Sequence, residues 1–319
     1  MTSIQPIFAL VLTLLVCFQS CPLRSTAVGI HRTAPLARSL SADALPEAAS
    51  QAPAPQPPVK PKREFVVFDA TLYKQKPDLS RYGLRPVSMV FKYMIWPVGR
   101  DVTLLPDRDM VREVAVQVSK STGVAVLDIE HWPLTGDLAV VEESIGKYQT
   151  LIRWFKEAAP SVKVGYYGVA PLRNYWDSIQ PIDSPKYVAW QKSNDQVALI
   201  GRLADILFPS VYTFYEDQQG WSKYAVQQIR EARRIGGGKP VYVFLWEEYH
   251  PTDKKLAGTY LPPEYWRMEL DLARKYADGV VIWGGYTETW DETAPWWRET
   301  KSFLQRIDSI RTMRSTTIQ

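Results

Sequence analysis

Short apolar runs alternate with longer amphipathic stretches from Phe65 to about residue 310. The runs are 65–69 (FVVFD), 87–93 (VSMVFKY), 123–128 (GVAVLD), 162–167 (VKVGYY), 206–212 (ILFPSVY), 240–246 (PVYVFLW) and 279–283 (GVVIW). Most are continuously apolar, the pattern of strands covered on both faces. Helical spacing of apolar residues predicts helices at about 107–120, 138–159, 190–204, 221–235, 263–277 and 294–310. Leu151, Ile152 and Phe155 share one helix face, and Leu270, Ala273 and Ala277 share another. Alternating strands and helices predict a parallel sheet. Seven such units over roughly 250 residues predict an α/β fold, a TIM-like distorted (β/α)7–8 barrel. The alternative, an open doubly wound sheet, carries a Gly-rich turn after its first strand. "FVVFDATLYKQ" has none.

The ends of the chain read differently. Ile7 to Phe18 is almost unbroken apolar sequence, and Ser25-Thr26-Ala27 offers small residues for cleavage, so 1–27 is expected to be a signal peptide and the protein exported. No Lys or Arg precedes that run. The only cysteines are Cys17 and Cys21. Cys21 is a possible lipid anchor, although Phe18-Gln19 is a poor lead-in to one. Residues 28–62 are a Pro/Ala-rich linker that cannot build a core, the barrel is expected over 63–312, and 313–319 is expected to be a disordered tail. The net charge of +4 is too mild to argue for nucleic acid.

The stretch "TGVAVLDIEHW" (122–132) ends a strand with Asp128 and Glu130, which the period-2 rule places on one face. Burying unpaired carboxylates is costly, so the pair needs a use. In a barrel the strand C-termini carry the chemistry. The side chains expected there are Asp69, Asp128, Glu130, Tyr166, Tyr167, Tyr212, Trp246, Glu247 and Trp283. Carboxyl groups ringed by Tyr and Trp suit a carbohydrate, because aromatic faces cover sugar C–H surfaces and hydroxyls supply hydrogen bonds. For Asp69 a turn or cap role is the simpler reading, and His131 is expected to pack beside the site. "RRIGGGKP" (233–240) reads as a helix C-cap rather than a phosphate loop, since it follows a helix. "DETAPWWRET" (291–300) reads as a helix start with Thr293 as cap, and Trp296 and Trp297 as packing residues. The three histidines lack metal-ligand spacing, so no metal or cofactor is expected.

At these residues the chain resembles the hyaluronidases, glycoside hydrolase family 56. The resemblance rests on Asp128-x-Glu130-x-Trp132, "VGYYG" at 164–168, "FPSVY" ending at Tyr212, and "DGVVIWGGY" with Trp283, in the family's order. It implies a distorted seven-stranded barrel and a retaining, substrate-assisted hydrolysis of N-acetylhexosaminide linkages. Glu130 would be the general acid, and Asp128 would hold the acetamido N–H. Tyr212 would bond the acetamido oxygen, and Trp283 would wall its methyl. In the loop after "VGYYG", Tyr175 (or Asn174) would stand for the family's substrate-contacting Tyr, and Tyr167 and Trp246, at strand ends, are expected as further substrate contacts. The partner implied is a polysaccharide containing N-acetylhexosamine; the protein is expected to be a monomer.

Three features depart from the family: no cysteine in the barrel, Pro133-Leu134 where an Arg follows the family's Trp, and a loop at 169–176 that does not align. Two alternatives therefore stay open, a non-catalytic carbohydrate-binding protein on a degenerate barrel and a glycosidase acting on another exported polysaccharide.

Overall fold

A computed structural model of the chain describes residues 63–316, with side chains through 309. The expected leader, Cys21, the linker and residues 317–319 lie outside the described residues.

The apolar runs lie parallel. β1 (Val66–Thr71) pairs with β7 (Gly279–Gly284), which pairs with β6 (Tyr242–Trp246). β3 (Ser88–Phe91) pairs with β4 (Val124–Asp128), which pairs with β5 (Lys163–Tyr166). β2 (Arg85–Pro86) joins β1 and is separated from β3 by Val87 alone, so the stretch 85–91 carries the wall from β1 to β4. The opposite gap is filled by 206–211, through parallel bridges Tyr167–Phe208, Leu207–Val241 and Ser210–Phe244. Seven segments thus close a barrel in chain order, as expected.

Residues 206–212 form no regular strand, contrary to the expectation. Towards β6, Leu207 N–H donates to Pro240 and Val211 N–H to Phe244, but Pro209 between them has no N–H to give. Towards β5 the backbone bonds are Asp205 N–H to Val164 and Gly168 N–H to Phe208.

Local signals set the helices that follow α1 (Lys92–Ile95), a single turn after β3. α2 (Arg108–Ser121), α3 (Leu138–Ala158) and α6 (Gln218–Gly236) start from Asp107, Asp137 and Asp217, whose carboxylates accept first-turn N–H groups. α5 (Pro185–Leu203) begins five residues before the expected 190, because Ser184 caps it and Pro185 fills its first turn. α6 ends on Gly237 in the left-handed conformation, as the C-cap reading of "RRIGGGKP" requires. α7 (Pro263–Tyr276) starts at the second proline of Pro262-Pro263. α8 (Pro295–Thr316) carries Trp296 and Trp297 fully buried. Its cap is not Thr293, whose own N–H and hydroxyl are held by Asp291. The helix continues through Thr316, so the tail expected from 313 is helical as far as the described residues go. Among the described residues no helix is long and apolar enough to cross a membrane.

Two carboxylates secure the N-terminal ends of the strands. Asp205 accepts from Val164 N–H and pairs with Lys156 at 2.8 Å. Asp278, fully buried, accepts from Val241 N–H at 3.0 Å and pairs with Arg233 of α6 at 3.1 Å. Removing one partner of a buried pair strands the other charge. Asp278→Ala is therefore expected to lower unfolding free energy by about 3–5 kcal/mol in denaturant titration.

Candidate active site

β4 delivers the acidic pair to the barrel mouth. Ile129, fully buried, turns into the wall between Asp128 and Glu130, as alternation requires. The loop beyond is fixed from behind. Tyr148 of α3 donates to the carbonyls of Ile129 (3.1 Å) and Trp132 (3.3 Å), and Trp132 donates to Val102 O at 3.0 Å. Tyr166 in turn donates to Tyr148 O at 2.7 Å, so it serves the wall and not the mouth. Trp132 packs against Trp96 and Tyr148 and is a packing residue. His131 packs edge-on against Trp96 and Trp132, beside the site as expected.

Both carboxyl groups hold their protons more tightly than ordinary carboxylates do. Burial, then the neighbouring Glu130, push Asp128 up to about 7 against the pull of Lys92. Glu130 is also raised by loss of water, although Arg173 opposes the rise. Its side chain is 46% accessible, so its tip meets solvent while protein encloses it on the remaining sides. Gly168, at φ +63°, faces it: a Cβ there would stand 3.8 Å from Glu130 Oε2.

Aromatic side chains ring the pair. Tyr212 and Tyr167 are nearly buried, with ring centroids 5.8 Å apart, and the Tyr167 hydroxyl donates to Ser210 Oγ at 3.0 Å. Burial holds the Tyr212 hydroxyl far above its usual range, and Tyr167, Asp128 and Glu130 all add to the effect. Trp246 meets Tyr212 edge-on at 5.5 Å. Trp283 stands beside Trp246 in the β6–β7 register and meets Phe91, the register partner of Asp128, at 6.1 Å. The structure therefore gathers Asp128, Glu130, Tyr167, Tyr212, Trp246 and Trp283 at one end of the barrel.

Tyr175 is not among them. It opens the short helix α4 (Tyr175–Ser178), and its ring packs against Phe214, Tyr215 and Tyr224, with the hydroxyl facing Gly220 of α6. Asn174 caps that helix. The loop instead offers Arg173, whose Nη2 lies 3.9 Å from Glu130 Oε2. No periodicity in the irregular loop marks Arg173, and the resemblance points to a tyrosine there instead. Exposed Tyr93 stacks on Phe91 and is influenced by Asp128 and Tyr286, which places it at the rim.

Asp69 accepts from Thr71 and from Lys76 at 2.7 Å, holding the turn after β1 as expected. Glu247 and Glu248 are buried in the wall beside the mouth. Glu247 accepts a short hydrogen bond from the Tyr73 hydroxyl, and burial pushes it up to about 8. Gly284, at φ +147°, leaves room for this carboxyl: a Cβ there would sit 1.9 Å from Glu247 Oε1. Among the described residues no group of three His, Cys, Asp or Glu could hold a metal.

A closed parallel barrel with proton-retaining carboxyl groups in an aromatic-lined mouth defines the class to which the chain belongs by shape. Comparison supplies the relatives. No family model matches the sequence. Proteins named hyaluronidase from Polistes annularis and Polybia paulista are 24% and 25% identical over 186 residues, 54% of this chain. The chain spans 49% and 62% of the length of these relatives. Crystal structures of bee venom hyaluronidase, alone and in complex with a hyaluronic acid tetramer, match with TM-scores of 0.52 and 0.51 at 16% and 17% identity. Each match covers 77% of this chain, and 96% and 95% of the other. The chain is hyaluronidase-like, and its fold is the barrel expected from the sequence.

A carboxyl whose folded pKa is raised contributes stability that is complete below the unfolded value and is lost as pH rises through the folded one. For Asp128 that window runs from about 4 to about 7. Asp128→Asn does not titrate. Its stability relative to the parent is expected to climb across that window and level off above it, by on the order of 1–3 kcal/mol. Thermal unfolding from acid to neutral pH reads this directly, and a constant difference would show an unperturbed Asp128.

Proposed function

We propose that the chain is a retaining glycoside hydrolase cleaving N-acetylhexosaminide linkages of a glycosaminoglycan-type polysaccharide by substrate-assisted catalysis. The observation that carries this reading is the Asp128/Glu130 pair, with both carboxyl groups raised in pKa beneath a ring of aromatic side chains. A general acid must still hold its proton near neutral pH, and poor hydration next to a second carboxyl has that effect. Binding alone needs no such proton.

In the proposed reaction Glu130 protonates the departing glycosidic oxygen while the acetamido oxygen of the same sugar attacks the anomeric carbon. Asp128 accepts the acetamido N–H and, once ionised, offsets the positive charge of the oxazolinium intermediate. Glu130, now a carboxylate, takes a proton from the water that opens this ring, and two inversions give retention. The Tyr212 hydroxyl, beside both carboxyl groups, donates to the acetamido oxygen. Trp283 walls the pocket on the acetamido methyl, and Trp246 steadies Tyr212 edge-on. Support from outside the chain is the name hyaluronidase carried by its sequence relatives, and the hyaluronic acid tetramer bound by the bee venom enzyme whose barrel it shares. The apolar segment 7–18 supports export.

Glu130→Gln keeps size and polarity and removes the proton. It is expected to lower kcat by about 10²–10⁴-fold with melting temperature unchanged. The assay is release of reducing ends from hyaluronan, chondroitin, chitin and peptidoglycan, and parent-like turnover by the variant would sink the acid assignment. Because Glu130 must hold its proton to act and burial raises its pKa, the parent's rate is expected to fall at a higher pH than an ordinary glutamate would give.

A further inference from the structure

The mouth contains a cation that the proposed chemistry does not employ. Arg173 belongs to the loop between β5 and α4, and its two neighbours are anchored. Leu172 N–H donates to Asn194 Oδ1 at 2.7 Å, and Leu172 O accepts from Trp190 Nε1 at 3.0 Å and Gln228 Nε2 at 3.2 Å. Asn174 accepts from Asp177 N–H at 3.0 Å and donates to its carboxylate at 2.8 Å. The backbone under Arg173 is therefore fixed on both sides, which reduces the ordering cost of any contact its side chain makes.

The guanidinium itself is less committed. It reaches Glu130 Oε2 only at 3.9 Å, which is ion-pair but not hydrogen-bond distance. Among the described residues no acceptor takes a hydrogen bond from it, and its side chain, 36% accessible, is open to a ligand. Its electrostatic neighbours are the phenols Tyr167, Tyr212 and Tyr224, groups that hold their protons, and Glu130. A planar fork of five N–H donors, partly stripped of water and short of acceptors, matches one ligand chemistry above others, a carboxylate taken bidentately. When Glu130 is protonated and ready to donate, Arg173 also lacks its one counter-charge.

We infer that Arg173 forms a subsite for the carboxylate of a uronic acid adjoining the N-acetylhexosamine, making it a specificity-determining residue for acidic over neutral glycans. This rests on the glycosidase reading above and adds the group that selects the polymer. The pairing with Glu130 describes the mouth without ligand; a uronate carboxylate entering it takes the N–H groups that Glu130 leaves unused.

The test measures affinity, so it does not depend on turnover. Two probes are titrated by calorimetry: a hyaluronan hexasaccharide, and the same hexasaccharide with its carboxyl groups reduced to alcohols. All proteins carry Asp128→Asn to stop cleavage. With Arg173 intact, the acidic probe is expected to bind roughly tenfold tighter than the neutral one, by a margin that shrinks as salt is added. Arg173→Gln is expected to abolish that preference. Arg173→Lys, which keeps the charge and loses the fork, is expected to keep less than half of it, and it serves as the deciding variant if Arg173→Gln fails to fold. Equal affinity for the two probes with Arg173 intact, or a full preference in either variant, overturns the inference. Failure of the parent to cleave any polymer, with the preference intact, would remove the glycosidase reading and leave the subsite standing.

Discussion

Two carboxyl groups on one strand end stay side by side only if the residues between and beyond them are anchored elsewhere. Here the anchor is the Tyr148 hydroxyl, which donates to the carbonyls of Ile129 and Trp132 together, while the backbone carbonyl of the same residue accepts from Tyr166 of β5. With that clamp set, Ile129 and Trp132 face the helical layer while Asp128 and Glu130 face the mouth. Mutual repulsion and poor hydration then become properties of the site instead of forces that spread it apart. The surrounding aromatic ring, Gly168 and the rim all depend on this placement.

The barrel holds its acids in three ways. At the N-terminal ends of the strands Asp205 and Asp278 are paired with Lys156 and Arg233. In the walls Glu247 and Glu269 are raised by burial and accept hydrogen bonds from the Tyr73 and Thr213 hydroxyls. At the mouth Asp128 and Glu130 are raised too, and the cation beside them, Arg173, stands 3.9 Å from Glu130, beyond hydrogen-bond reach. The first two arrangements serve stability. The third leaves a proton with no fixed use inside the protein, which is what general acid chemistry requires.

Much of this architecture was legible in the sequence because its determinants are local. Asp107, Asp137 and Asp217 announce helix starts by their own hydrogen bonds, and Ile129 between two acids fixes their common face by simple alternation. What escaped was set over distance. "ILFPSVY" has the composition of a strand, yet Pro209 withholds one N–H from the ladder with β6. Tyr175 and Arg173 lie two residues apart in an irregular loop, where no periodicity tells which side chain looks into the mouth; the fixed backbone of Leu172, bonded to α5 and α6, decides it. The partnership of Asp278 with Arg233 joins residues forty-five positions apart and leaves no local trace.

The wall between β5 and 206–211 is the barrel's thinnest join, held by backbone bonds only near its two ends. The Tyr167–Ser210 hydroxyl bond crosses that same join. Tyr167 is thus a rivet of the wall, and any ligand that engaged its phenol would borrow it from the masonry. Grip on such a ligand and stiffness of the vessel around it would be drawn from a single hydroxyl.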